Sequence, residues 1–277
     1  TGGAVHVRCP YVLTDYFGVI VSSVAETLAL HGRRVILDAG EVSQSAPVLA
    51  GLPDDPDVAA AVLVLPPEAD ADLATLRRRA FPFVVVDPRT AVPRDVAAVS
   101  AAHFAGAQAV TDHLVALGHR RIGVIGGPDG WLASEARLAG HRAALAAVGV
   151  LPARETVRDV PATVEAGYAA AGELLDLPDR PTALACFNDK IAVGALRAAR
   201  ERRLRVPDDV SVTGFDDVDL ARATLPQLTT VRQPLEEMGR MAVTLLLRLL
   251  DGSRGEALHV ELATELVVRD STGPAPA

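Results

Sequence analysis

Cysteine is scarce in this chain of 277 residues: Cys9 and Cys186 are the only two, far apart, without CxxC spacing and without a neighbouring histidine pair. That pattern excludes a disulfide framework and a zinc site, leaving a reduced thiol pair and no metal or cofactor as the expectation. Long apolar runs are also missing. The longest, such as Ala59 to Leu65, fall far short of a bilayer span, and the start from Thr1 lacks the charged and apolar regions of a secretory leader. The absence of an initiator methionine points to a trimmed chain. Positive charge is in deficit, with 27 Lys and Arg against 35 Asp and Glu for a formal net charge of -8. Gripping the phosphate backbone of nucleic acid needs a basic footprint, so any DNA contact calls for residues other than these. Catalytic signatures are lacking too. Ser22, Ser23, Ser100, Ser134 and Ser211 stand in no nucleophile elbow, and the seven histidines have no HExxH spacing. Adjacent Asp216 and Asp217 point to opposite faces of an extended chain and do not form a catalytic pair. No catalytic residue is expected, and the chain does not read as an enzyme.

Present instead is a regular alternation of short β-branched runs with longer helical patterns. The strand candidates are Val5 to Cys9, Arg34 to Asp38, Ala61 to Leu65, Phe83 to Asp87, Ile122 to Ile125, Ala183 to Phe187 and Val210 to Phe215. Phe17, Ile20, Val21, Val24 and Leu28 recur at helical spacing, as do Phe104, Ala107, Thr111, Leu114 and Leu117, then Leu138, His141, Leu145 and Val148. Such alternation predicts an α/β fold with parallel sheets covered on both faces. Seven strand units fit two sheets better than one, and the helix ending at Gly118 with basic residues beyond it marks the break. The expected lobes are 1–119 with 233–254, and 120–232 with 255–277. They are joined by three crossings around a cleft suited to a small ligand. A strongly apolar helix is expected over Leu235 to Leu250, an extended stretch over His259 to Val268, and an unstructured tail at Gly273 to Ala277.

Ligands of open parallel sheets bind at the carboxyl ends of the strands, and the residues there carry the chemistry. Asp216, at the end of Val210 to Phe215, offers an acceptor for vicinal hydroxyls, or else Asp216 and Asp217 cap the next helix. Asn188 closes Ala183 to Phe187 and can donate and accept at once, or serve as the N-cap of helix Asp189 to Arg200. Trp131, the single tryptophan, has a ring face for a sugar, or is partly core. Arg137 offers a fork of donors to a hydroxyl or carboxylate, or an internal salt bridge. Asp15, Tyr16 and Phe17 combine an acceptor with two rings, or form a cap and core aromatics. An Asp87–Arg89 ion pair is the simplest account of the end of the fourth strand, with His103 and Phe104 starting a helix near the same edge. The run GVIGGPDG, Gly123 to Gly130, lacks the Lys-Ser/Thr of a P-loop and reads as a tight structural turn.

Several stretches together resemble the effector-binding core of the lactose-repressor (LacI/GalR) family of bacterial transcription regulators. They are HLVALGHRRIGVIGGP (His113 to Pro128), ARLAGHRAAL (Ala136 to Leu145), CFNDKIAVGAL (Cys186 to Leu196), VPDDVSVTGFDDVDLARATLPQLTTVRQP (Val206 to Pro234), EEMGRMAV (Glu236 to Val243) and ELVVRDST (Glu265 to Thr272). The resemblance implies two doubly wound lobes of the periplasmic-binding-protein type, a cytoplasmic homodimer, and a small effector in the cleft, usually a sugar, sugar phosphate or purine. It places ligand contacts at Asp15, Tyr16, Phe17, Arg89, Trp131, Arg137, Asn188, Asp216 and Gln233. The family's helix-turn-helix and hinge helix are absent from this sequence, so operator DNA would be met only through that missing headpiece. The segment Glu41 to Asp57 is shorter and less helical than the family's second helix, and His103 stands where the family often has Asn. The expected function is the effector-binding and dimerisation core of a sugar-responsive regulator; the alternative is a periplasmic sugar-binding protein of a transport system.

Overall fold

Branched and small apolar residues build the strands, and glycines let the helices close over them. The computed structural model describes residues 3–11, 13–40, 48–68, 70–252 and 258–276. In chain order the elements are β1 (Ala4–Cys9), α1 (Asp15–Leu30), β2 (Val35–Ala39), a single helical turn α2 (Val48–Gly51), β3 (Val58–Val64), α3 (Asp70–Arg78), β4 (Phe83–Val86), β5 (Ala97–Ala101), α4 (His103–Ala116), β6 (Ile122–Gly126), α5 (Leu132–Ala146), β7 (Val157–Asp159) and α6 (Val164–Leu175). There follow β8 (Ala183–Cys186), α7 (Asp189–Glu201), β9 (Ser211–Thr213), α8 (Asp219–Ala223), β10 (Thr230–Arg232), α9 (Leu235–Leu250), β11 (His259–Leu262) and β12 (Glu265–Val267). They gather into two units, residues 1–101 with 234–262 and residues 102–233 with 263–277.

The first unit holds a six-stranded sheet in the order β11-β5-β4-β3-β1-β2, with every pairing parallel. Alternate residues of its strands face opposite sides. Leu63, Val85 and Ala98 form a core with Leu73 and Leu76 of α3 and Leu49 and Leu52, while Val62, Val64, Val84 and Val86 are fully buried on the other face. Helix α9 lies against α1 where Gly239 meets Ser23 and the Ile20 carbonyl, and the Ser23 hydroxyl donates to the Glu236 carbonyl at 2.6 Å.

The second unit has a parallel sheet in the order β7-β6-β8-β9 and an antiparallel ribbon of β10 and β12. Two helix pairs approach at glycine. A Cβ on Gly140 of α5 would stand 2.3 Å from the Phe104 carbonyl oxygen of α4, and one on Gly194 of α7 would stand 2.2 Å from the Val164 carbonyl oxygen of α6.

Four expectations need correction. The first crossing falls between Ala101 and Ala102, not near Gly118 to Arg121, so the lobes expected over 1–119 and 120–232 exchange α4. Gly118, at φ +93, does end that helix, but α4 packs against α5 and belongs with it. The return crossings follow Gln233 and Leu262. The expected extended stretch His259 to Val268 is two strands in different sheets, since β11 pairs with β5 and β12 with β10. The tail from Gly273 is not loose: the Gly273 amide donates to Ser211 Oγ at 3.0 Å and the Ala275 amide to the Leu117 carbonyl at 2.9 Å. Strands β5, β7 and β10 add to the seven expected. Part of Glu41 to Asp57 and most of Gly252 to Gly255 lie outside the described residues.

Candidate functional site

In each unit the strand order reverses at one strand, β1 between β2 and β3 in the first and β6 between β7 and β8 in the second. Connections there leave a crevice at the carboxyl ends. In the second unit, Gly127 follows β6 and has no room for a side chain, since a Cβ would stand 2.6 Å from the Phe187 ring. Phe187 and Phe215, following β8 and β9, enclose Arg137 of α5. Its guanidinium carbon lies 4.3 Å from the Phe187 ring centre and 3.7 Å from that of Phe215. Both are cation–π distances.

The edges of that guanidinium are spoken for in an ordered way. Nη1 donates to the Phe187 carbonyl at 2.5 Å, and Nε and Nη2 meet Nδ1 of His103 at 3.4 and 3.2 Å. Nη2 is also 3.9 Å from Oδ1 of Asp216. That oxygen accepts from Nε2 of Gln233 at 2.6 Å, while Gln233 Oε1 is buried without a hydrogen-bond partner. Asp216 has φ +115, a backbone region that costs a residue with a side chain about 1–3 kcal/mol and persists where its surroundings fix it. Bonds from the Asp216 amide to the Val231 carbonyl, 2.8 Å, and from the Gln233 amide to the Asp216 carbonyl, 3.3 Å, do so.

Asp217, at φ +58, turns elsewhere. Its carboxylate accepts from Arg269 at 2.6 Å and Arg232 at 2.8 Å. Neither aspartate caps α8, whose N-cap is Val218 without a side-chain bond. Asn188 does cap α7, its Oδ1 accepting from the Ile191 amide at 3.0 Å, which leaves its NH2 as the group able to donate to a ligand. Trp131 stands just before α5, half-buried against the second unit's core. Asp189 lies fully buried, its carboxylate accepting from Thr230 Oγ1 at 2.6 Å and the Val218 amide at 3.0 Å. Burial first, and then the neighbouring Asp216, push its carboxyl well above the usual aspartate range.

The first unit assembles its own group. The Tyr16 hydroxyl donates to Asp87 Oδ2 at 2.5 Å, and the Phe17 ring lies 5.0 Å from that of Tyr16 and 5.2 Å from that of Tyr11. Arg89 donates to the Leu65 carbonyl at 3.0 Å and sits 5.8 Å from the Tyr11 ring. Asp15 is exposed in the first turn of α1, whose N-cap is Thr14. Tyr11 and His103 join these groups although neither was among the expected ligand contacts; His103, noted only as starting a helix, meets an arginine 34 residues away, beyond the reach of a local pattern. A hollow of about 530 Å³ in the second unit lies at the opposite, amino ends of β6 and β8, lined by Ile122, Leu145, Val150 and Leu177 with Arg121 paired to Asp179. Arg120, Glu155 and Thr156 also line it, away from the carboxyl strand ends. Among the described residues no group of His, Cys, Asp or Glu is able to hold a metal, Cys9 and Cys186 are buried free thiols, and no helix is long and apolar enough to cross a membrane.

Residues 111–272 match the periplasmic binding protein-like domain. The transcriptional repressor CytR of Escherichia coli K12 is 32% identical over 268 residues, covering 96% of this chain and 78% of CytR. The chain belongs to the lactose-repressor (LacI) family of transcription regulators. Solved structures of LacI-family relatives superpose closely. A regulator CelR in complex with cellobiose has a TM-score of 0.88 at 30% identity, covering 98% of this chain and 85% of that one. A LacI-family regulator from Enterococcus faecium with bound ribose has a TM-score of 0.85 at 25% identity, covering 98% and 99%. These LacI-family relatives are regulators of transcription, not enzymes.

Proposed function

We propose that this chain is the effector-binding and dimerisation core of a sugar-responsive repressor. The effector is a neutral, hydroxyl-rich molecule read in the second unit by Arg137, Asp216, Gln233 and Asn188, with Trp131 as a stacking face. The observation that carries this reading is the buried donor beside a buried acceptor, Arg137 Nη2 at 3.9 Å from Asp216 Oδ1, with Gln233 Oε1 unmatched next to them. Vicinal hydroxyls both give and take hydrogen bonds, so one can accept from the guanidinium while its neighbour donates to the carboxylate or the amide oxygen. A phosphate dianion would meet the Asp216 carboxylate at close range and be disfavoured. Asp15, Tyr16, Phe17 and Arg89 form a second hydroxyl-reading patch on the first unit. The cellobiose and ribose held by two relatives agree with this class of ligand.

Regulation then follows from linkage: an effector shifts DNA affinity by no more than its own preference for one arrangement of the protein. DNA reading is assigned to a helix-turn-helix not contained in these residues, in keeping with the acidic balance here. Homodimerisation is supported by the edge strand β2, whose Ile36 and Leu37 are 41% and 44% exposed. An apolar edge of that kind calls for a covering partner. A regulator of transcription works beside the chromosome, so the protein is assigned to the cytoplasm, and no turnover of the effector is expected.

A thermal-shift screen against cellobiose, ribose, other neutral saccharides and sugar phosphates tests the proposal. At about 100 times its dissociation constant a true effector should stabilise the chain by roughly 2.7 kcal/mol, and Arg137→Ala or Asp216→Ala should abolish that gain. Undiminished stabilisation in both variants would move the site elsewhere.

A further inference from the structure

We propose that His103 is a positioning residue that fixes the Arg137 guanidinium for effector binding. This deepens the proposed function and rests on its reading of Arg137. Arginine has donors only, so the His103 Nδ1 that meets Nε at 3.4 Å and Nη2 at 3.2 Å must present its lone pair, and the ring carries its proton on Nε2. The Phe187 and Phe215 rings both lie at cation–π distance from the guanidinium. Rotation within the plane is opposed by the Phe187 carbonyl at Nη1 and by the imidazole nitrogen at Nε and Nη2. Nη2, the nitrogen nearest Asp216, is the one His103 holds, so the histidine sets the spacing of the donor–acceptor pair that reads the effector.

His103 is itself well anchored. It is the first residue of α4, 7% exposed, with its ring 6.0 Å from that of Phe215. The preceding Ala102 carbonyl accepts from Thr264 Oγ1 at 3.3 Å.

The test uses His103→Asn, whose Oδ1 can replace Nδ1 as an acceptor, and His103→Leu, which fills space without one. Trp131, the single tryptophan, reports titrations with cellobiose and with ribose by its fluorescence. His103→Asn should bind within about threefold of the parent, and His103→Leu about tenfold or more weakly, the scale of one hydrogen bond to a charged group. The Leu variant's unliganded melting temperature should stay within a few degrees of the parent. Parent-like binding by His103→Leu, or an equal loss in both variants, overturns the proposal. A ligand-free arm stands apart from sugar chemistry: nitrogen-15 spectra should place the His103 proton on Nε2 in the parent. A proton on Nδ1 in the parent overturns the proposal. If neither sugar binds the parent but the tautomer behaves as stated, the positioning contact holds and the sugar reading is what fails.

Discussion

His141 on α5 sits behind the arginine site, fully buried, with Nδ1 2.6 Å from Thr111 Oγ1. The Thr111 hydroxyl already donates to the Ala107 carbonyl at 2.9 Å, so the imidazole must be the donor to Thr111. Burial, and secondarily Arg137, hold its pKa down at about 4 from the ordinary 6.5. For a base whose folded value is depressed, the unfolded chain binds the proton first. Stability from this residue is complete above pH 6.5 and is lost as pH falls from there toward about 4. The loss could reach about 3 kcal/mol. His141→Gln keeps a donor for Thr111 without a titrating ring. Urea melts between pH 7 and 4 should show a shallower acid decline for the variant than for the parent, and parallel curves would count against the assignment. Burial also depresses His113 and His119, so the difference between curves is the quantity to read. At this scale the sequence disclosed what local succession sets: Asn188 follows β8 and Asp216 follows β9, Arg137 lies on the helix after β6, and the structure brings Arg137 within 3.9 Å of Asp216. The His103–Arg137 contact joins residues 34 apart on two helices, and no local pattern encodes such a meeting.

At the scale of elements, helix pairing in the second unit depends on missing side chains. Alanine at Gly140 would gain up to about 1 kcal/mol of helix propensity, but its methyl would meet the Phe104 carbonyl oxygen at 2.3 Å and the Gln108 amide at 2.9 Å. Those neighbours are backbone and cannot swing aside, and overpacking of this kind costs about 1–3 kcal/mol. The clash should win, so Gly140→Ala is expected to lower the urea midpoint with an unchanged slope. Because the displaced atoms belong to the turn that starts at His103, the variant should also weaken sugar binding. A midpoint equal to or above the parent's would mean that α4 and α5 can separate freely. The same level explains which elements the sequence disclosed. Strands rich in branched residues, such as Val5 to Cys9, stood out, whereas β5 is Ala-Ala-Val-Ser-Ala and owes its place to pairing with β4 and β11. The helix α4 was legible as a helix but not as a member of the second unit, since its allegiance lies in the Gly140 contact with α5.

For the whole molecule, the last residues of the chain close the second unit. Ser271 is fully buried, donating to the Val212 carbonyl at 2.6 Å and accepting from the Thr229 amide at 2.8 Å. Gly273 bonds Ser211 through its amide, and its carbonyl accepts from His119 Nε2 at 3.0 Å. Thr272 Oγ1 meets His113 at 2.9 Å and Thr229 Oγ1 at 3.0 Å. Ending the chain after Arg269 would remove all of these and leave the Thr229 amide and the Val212 carbonyl buried without partners. Each buried polar group so stranded costs about 1–3 kcal/mol, so the sum approaches the 5–15 kcal/mol that holds a typical domain together. Ending it after Gly273 removes, among the described residues, the Ala275 amide bond to the Leu117 carbonyl. The shorter chain should therefore lose cooperative unfolding and effector-induced stabilisation, while the chain ending at Gly273 should keep both. Calorimetry of the two truncations against the parent decides it: equal transitions in all three would show that the second unit closes without its tail.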